Sequence, residues 1–268
     1  MQKPAIDISN QIEIITPDLR TGNIRYALFD FDGTISLIRE GWQSIMIPMM
    51  VEILSQTPLA EDHASLERVV REFVTRLTGK QTIYQMIQLC EEITKRGGNA
   101  EDPLYYKQMY NERLNEHIRY RITLLKEKRV QPEEMCVPGA FDWLKIMKKR
   151  GVHCFLASGT DEKYVFEEAE LLELPPFFEG IYGARDDYRT FSKKMVIDRI
   201  IAEHALHGSE FAAFGDGYVE IEDAKSAGGL TVGLATDEKN RSGRDEWKRS
   251  RLIAAGADVI IPDFRCFH

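Results

Sequence analysis

Short apolar runs alternating with amphipathic helices constrain this chain more than any other feature. Residues 152–157, 181–183, 211–214, 230–234 and 258–261 read as strands, mostly continuous apolar runs of the kind found in sheets covered on both faces. Helices are expected over 140–149, stopped by Gly151, over 192–204, where Val196, Ile197, Ile200 and Ile201 face inward, and over 220–227. Repeated strand–helix–strand units build a parallel sheet with helices on both faces. Residues 24–29 have the same character and belong to that sheet, although a long stretch of different texture follows them.

That stretch, residues 42–128, reads as helical. Leu66, Val69, Val70, Phe73, Val74 and Leu77 recur at three- and four-residue steps, and Gly79 is placed to end the helix. Ile83, Met86, Ile87, Cys90 and Ile93 form a second stripe that stops at Gly97-Gly98, and Met109, Leu114, Ile118, Ile122 and Leu125 form a weaker third. The expected architecture is α/β: a doubly wound parallel sheet from residues 1–38 and 137–268, with an all-helical domain, residues 39–136, inserted after the first strand. An insertion at that point sits over the carboxyl edge of the sheet, where ligands bind in open α/β folds.

The chemistry-bearing residues collect at the same edge. Asp30-Phe31-Asp32-Gly33-Thr34 follows the first strand, and alternate residues of an extended chain share one side, so Asp30 and Asp32 can face one site. Two adjacent carboxylates raise each other's pKa unless a cation or a shared proton intervenes. The pair suits a nucleophile beside a general acid/base, a hard-metal site, or both. Ser158-Gly159-Thr160 closes the second strand at an expected helix start, offering a hydroxyl and glycine-exposed N–H groups to phosphate oxygens. Ser192-Lys193-Lys194 opens a helix and brings a cation. Gly215-Asp216-Gly217 closes the fourth strand, with Glu220 one turn later, and completes an oxygen-rich cluster suited to Mg2+. Singly, each of these is an ordinary turn, cap or solvated side chain. In this order, each placed after a strand, they point to one site.

Composition narrows the partners. The 268 residues carry a net charge of −8, which argues against nucleic acid, whose phosphates select basic surfaces. Residues 1–15 hold no apolar run of a signal peptide. The most apolar window, 45–51, is short and contains Pro48, so no membrane span is expected. Cys90, Cys136, Cys154 and Cys266 match no zinc spacing and read as reduced thiols of a cytoplasmic protein. Residues 1–22 match no motif, and oligomeric state leaves no signature.

From about residue 24 to the end, these motifs resemble the haloacid dehalogenase (HAD) superfamily of phosphotransferases. The matching residues are Asp30-Phe31-Asp32-Gly33-Thr34, Ser158, Lys193 or Lys194, and Gly215-Asp216 with Glu220. The resemblance implies a HAD-like Rossmannoid core. It implies that Asp30 is a nucleophile forming an aspartyl-phosphate, and that Asp32 protonates the leaving alcohol and then activates water. Ser158, Gly159, Thr34 and the lysine would hold the phosphate. Mg2+ would be held by Asp30, the backbone carbonyl of Asp32 and Asp216, with Glu220 nearby. Lys193 is favoured because Val196-Ile197 and Ile200-Ile201 follow it at the spacing expected from relatives. The second acid of the last motif is commonly Asp; here Glu220 takes that place, with Asp223 a rival one turn on.

The presence of Asp32 sets the chain apart from the dehalogenases, which lack the second Asp. The expected activity is therefore hydrolysis of a small phosphorylated metabolite, as a phosphoric monoester hydrolase. The helical insertion resembles a C1-type cap, as in phosphoglycolate phosphatase and β-phosphoglucomutase relatives, which closes over the site and excludes water. Within it, Thr78-Gly79-Lys80-Gln81-Thr82 either faces the site, with Lys80 meeting an anionic or hydroxylated group of the substrate, or is an ordinary turn with a solvated lysine. Arg39 and Trp42 at the cap hinge are weaker candidates, and Arg185 reads as a surface residue. A phosphomutase using the same residues, or a non-catalytic binding protein on the same fold, are the alternatives. A sugar phosphate, phosphoglycolate and a nucleotide all stay open as substrates.

Overall fold

In the computed structural model, which describes residues 12–17, 19 and 23–267, the elements follow in this order. Strands β1 (Glu13–Ile14) and β2 (Tyr26–Phe29) lead into helices α1 (Gln43–Ser55), α2 (His63–Leu77), α3 (Thr82–Lys95), α4 (Pro103–Lys126) and α5 (Ala140–Lys149). Then come β3 (His153–Asp161), α6 (Glu162–Leu171), β4 (Gly180–Ala184), α7 (Lys193–Glu203) and β5 (Phe211–Gly215). The chain ends with α8 (Tyr218–Ser226), β6 (Leu230–Leu234), α9 (Glu246–Ala254) and β7 (Val259–Ile261).

The strands form one seven-stranded sheet in the order β1-β7-β6-β5-β2-β3-β4, parallel throughout except for the antiparallel β1–β7 pair. This is the α/β, doubly wound arrangement that the alternating runs predict. β2 lies between β3 and β5, with Phe29 in register with both Leu156 and Phe214. Asp30, Ser158 and Asp216 therefore leave the sheet side by side. Below them Phe29 stacks on Phe214 with ring centroids 4.6 Å apart, and Phe29, Phe31 and Phe264 are completely buried. Each such ring contributes about 1.5–3 kcal/mol by burial, so the floor of the edge is rigid.

Helices α1–α4 form the insertion between β2 and β3. Leu66, Val70, Phe73, Val74 and Leu77 of α2 are buried, as their spacing predicts. Asp62 caps α2 by accepting from the Ser65 N–H at 3.1 Å, and Asp102 with Pro103 starts α4. The chain leaves and re-enters the sheet domain through paired segments. The Leu37 N–H donates to the Met135 carbonyl at 2.8 Å, and the Val137 N–H to the Ile35 carbonyl at 2.9 Å. No described helix is long and apolar enough to cross a membrane.

Two boundaries differ from the sequence reading. β3 continues to Asp161, with a break in register after Ala157, and α6 begins at Glu162 instead of at residue 158. The Ser158 hydroxyl accepts from the Thr160 N–H at 3.0 Å, and both the Ser158 and Thr160 hydroxyls donate to Asp32, so these groups tie the segment to the neighbouring loop. α8 begins at Tyr218, before Glu220, because the Glu220 carboxylate reaches back to accept from the Gly217 N–H at 2.8 Å.

The N-terminal segment, featureless in sequence, supplies β1 at the sheet edge. It is anchored through Asp258, whose carboxylate accepts from Lys225, from the Thr16 hydroxyl and from the N–H and hydroxyl of Thr231. Burial alone raises the Asp258 carboxyl, but Lys225 and these hydrogen bonds hold it below the usual carboxylate range. A depressed folded-state pKa stabilises above the unfolded value and ceases to do so as pH falls through the folded one. Asp258→Asn is expected to lower the melting temperature at neutral pH, and the deficit should narrow below a pH of about 4. A deficit that stays constant across that range would contradict the assignment.

Candidate active site

Asp30 is the first residue beyond β2, fixed by its N–H donating to the Phe214 carbonyl at 2.9 Å. Its side chain is buried. Lys193, from the first turn of α7, donates to Asp30 Oδ1 at 2.7 Å and to Glu220 Oε2 at 2.8 Å. Glu220 is completely buried. The neighbouring Lys194 turns outward and pairs with Asp198 at 2.8 Å, so Lys193 is the lysine that enters the site. Asp223, the rival acid, stands outside the cluster of Asp30, Asp216 and Glu220. Burial pushes the Asp30 carboxyl well above the usual range, the charges of Glu220 and Asp216 add to the rise, and Lys193 offsets part of it. Burial would lower the Lys193 ammonium, but Asp30 and Glu220 more than reverse this and keep it charged.

Asp32 faces the same cavity. Its Oδ2 accepts from the Ser158 hydroxyl at 3.1 Å and the Thr160 hydroxyl at 2.9 Å. Its Oδ1 is buried and has no hydrogen-bond partner among the described residues. The Arg39 Nε lies 3.9 Å from that oxygen. Arg39 is clamped by Glu168 of α6, with Nε at 3.0 Å and Nη2 at 2.7 Å from one carboxylate oxygen. Burial pushes the Glu168 carboxyl up to about 7 against the pull of Arg39. Two hydroxyls thus hold one Asp32 oxygen, while the other stands near Arg39 without a hydrogen bond.

One carboxylate oxygen from each of Asp30, Asp216 and Glu220 lies within 4.8 Å of the others. Hard oxygen donors at this spacing, with an excess of negative charge that Lys193 only partly offsets, fit a small divalent cation. Asp216 is held by its N–H, which donates to the Thr34 hydroxyl at 3.0 Å. Thr34, expected on the phosphate, is completely buried and does not line the cavity; its hydroxyl serves the Asp216 loop. Asp216 Oδ2 accepts from Lys248 at 2.7 Å, and Lys248 also pairs with Glu238.

Asp30, Asp32, Lys193 and Asp216 border a cavity of about 90 Å³ that Ser158 and Gly159 also line, with Trp42, Lys80, Gln85 and Tyr110 contributed by the helical insertion. The 78–82 loop is seated on the sheet domain. Gln81 Nε2 donates to the Phe191 carbonyl at 2.6 Å and the Tyr188 carbonyl at 3.1 Å, just ahead of Lys193. Lys80 lines the cavity, and its side chain has no hydrogen bond or ion pair among the described residues. Arg39 and Trp42 also reach the cavity, whereas Arg185 pairs with Glu162 at 3.1 Å on the surface.

Gly159 meets this loop directly: a Cβ there would lie 2.7 Å from the Lys80 carbonyl oxygen. Gly159→Ala is therefore expected to displace the loop and lower kcat/KM on the order of tenfold or more while the melt stays cooperative. Steady-state kinetics and a melting curve check it, and unchanged kinetics would refute the close packing.

Tyr110, Gln85, Thr160, Glu168, Glu238 and Lys248 were not singled out by the sequence. Tyr110 falls in register with Leu114 and Ile118, so its spacing reads as core. Glu238 and Lys248 belong to no motif. Thr160 alone carried a signal, as part of Ser158-Gly159-Thr160.

Residues 24–228 match the family model of haloacid dehalogenase-like hydrolases. No curated protein matches the sequence. Among solved structures, the chain is similar to a predicted phosphoglycolate phosphatase from Haemophilus somnus, with 14% identity over 91% of this chain and 96% of that one and a TM-score of 0.60. It is similar to a HAD hydrolase from Entamoeba histolytica, with 21% identity over 90% and 94% and a TM-score of 0.59. It is also similar to a β-phosphoglucomutase from Clostridium difficile, with 14% identity over 86% and 98% and a TM-score of 0.54. The family match spans the first four parallel strands of the sheet and every residue of the carboxyl-edge cluster, and the chain belongs to the haloacid dehalogenase-like hydrolase family.

Proposed function

We propose that this protein is a Mg2+-dependent phosphatase that hydrolyses a small phosphorylated metabolite through an aspartyl-phosphate on Asp30. The observation that carries the reading is the convergence of Asp30, Asp32, Asp216 and Lys193, from separate strand ends and a helix start, on one small cavity. Phosphoryl transfer asks a protein mainly for positioning and charge neutralisation, and these residues supply both.

An Asp30 carboxylate oxygen attacks phosphorus as the bond to the leaving alcohol breaks, and Asp32 gives that alcohol its proton. Asp32 then takes a proton from water, the water oxygen bonds to phosphorus, and the bond to Asp30 breaks to release phosphate. The covalent intermediate divides one difficult step into two. Ser158, the Gly159 N–H and Lys193 hold the phosphoryl oxygens. Asp30, the Asp32 carbonyl and Asp216, with Glu220 nearby, would hold Mg2+, which would supply neutralisation of charge on those oxygens.

Residues 39–136 act as the cap over a core of 1–38 and 137–268, a division supported by the paired segments at 35–37 and 135–137. A cavity of about 90 Å³ between the sheet edge and the helices favours a small substrate. Lys80, Gln85 and Tyr110 read the part of the substrate beyond its phosphate.

Incubation with p-nitrophenyl phosphate and a panel of metabolite phosphate esters, with Mg2+, should release inorganic phosphate, and a chelator should stop it. Interconversion of hexose 1- and 6-phosphates without net release would make the protein a mutase. Silence across the panel would leave a binding protein and end the phosphatase reading.

A further inference from the structure

Asp216 comes to the cavity edge with one of its two oxygens already taken. Oδ2 accepts from the Lys248 ammonium at 2.7 Å, and a Cβ on Gly33 would collide with the same oxygen. Lys248 and Glu238 are largely buried, with side chains 12% and 18% exposed, and neither lines the cavity. Lys248 stands in the first turn of α9, where the helix dipole disfavours a cation. Burial disfavours it too, and only Asp216 and Glu238 compensate. Its placement therefore serves those carboxylates.

The other two acids of the cluster show the same restriction. Asp30 Oδ1 accepts from Lys193, while Glu220 accepts from Lys193 through one oxygen and from the Gly217 N–H through the other. Each acid has a protein donor on at least one oxygen, which uses one of that oxygen's two lone pairs and disfavours chelation of an ion through both oxygens. Mg2+ takes an octahedral shell of single oxygens, whereas Ca2+ takes more ligands and favours carboxylates that bind through both oxygens.

We propose that Lys248, backed by Glu238, is a positioning residue that restricts Asp216 to one metal-facing oxygen and so makes the site select Mg2+ over Ca2+. This rests on the metal-binding reading above. Lys248 touches no substrate; it acts through Asp216 on the ion.

The test is calorimetric titration of Mg2+ and, separately, Ca2+ into the full chain without substrate. The principal variant is Lys248→Met with Glu238→Gln, which leaves no unpaired charge on either side chain. Lys248→Met alone is read the same way if the pair does not fold. The ratio of Ca2+ to Mg2+ affinity should rise on the order of tenfold, and Lys248→Arg, which keeps a donor on Oδ2, should restore the wild-type ratio. A wild-type ratio in a cooperatively melting Lys248→Met variant, while Asp216→Asn loses both ions, would overturn the role of Lys248 and leave the metal site standing. Failure of the wild-type chain to bind either ion would overturn both.

Discussion

Asp30→Asn is expected to lower turnover of phosphate esters by on the order of 10⁴-fold or more. An amide is a poor nucleophile and forms no stable acyl phosphate, so the covalent route closes. The substitution is nearly isosteric and removes a charge that burial and two neighbouring acids already disfavour. The variant should therefore keep a cooperative melt, with Lys193 still paired to Glu220. Wild-type protein quenched during turnover of radiolabelled substrate should carry label, and the variant should carry none. A residual rate within about tenfold of wild type, or label retained by the variant, would mean that another residue attacks phosphorus.

Lys193→Met should produce the largest loss of stability. The ammonium is the shared partner of Asp30 and Glu220, and its removal leaves two carboxylates buried against each other. Breaking a buried pair from one side costs about 3–5 kcal/mol. The cost should depend on pH in a definite sense. Without Lys193, burial and the charges of Glu220 and Asp216 act unopposed to raise the Asp30 carboxyl, and an acid raised on folding loses stability as pH increases through the unfolded value toward the folded one. Urea unfolding should thus show a large deficit at pH 8 that shrinks toward pH 5. Phosphate release should fall on the order of 100-fold or more through loss of the cation on the phosphoryl group. A deficit below about 1 kcal/mol, or one that grows on acidification, would show that the ammonium is not the counter-charge of this cluster.

Much of the architecture was legible in advance. The strand runs, the stripes of α2 and α3 and the insertion after β2 depend on side-chain periodicity, which neighbouring residues determine. Asp30, Asp32, Ser158 and Asp216 were legible for the same reason: each stands just past a strand end, and parallel strands bring their carboxyl ends to one edge. Lys193 is favoured over Lys194 in sequence only by the spacing of Val196-Ile197 and Ile200-Ile201 expected from relatives, and the choice stays open until the structure pairs Lys194 with Asp198 outside the site.

Other features had no local signature. β1 is a two-residue strand whose pairing depends on β7, far along the chain. The extension of β3 arises from hydroxyl bonds to Asp32 across 126 and 128 residues. Thr34 reads as part of a phosphate loop, yet its hydroxyl faces Asp216, 182 residues away.

The sequence alone determined where strands end, which helices carry an apolar face and which acids reach the carboxyl edge, because those properties follow from backbone periodicity and near neighbours. Only the tertiary structure decided the Arg39–Glu168 clamp beside Asp32, the seating of the 78–82 loop on Gly159, and the Lys248–Glu238 support of Asp216. Each is a contact between elements remote in sequence, set by how whole helices pack on the sheet, and a buried charge finds its partner only once that packing has removed water from between them.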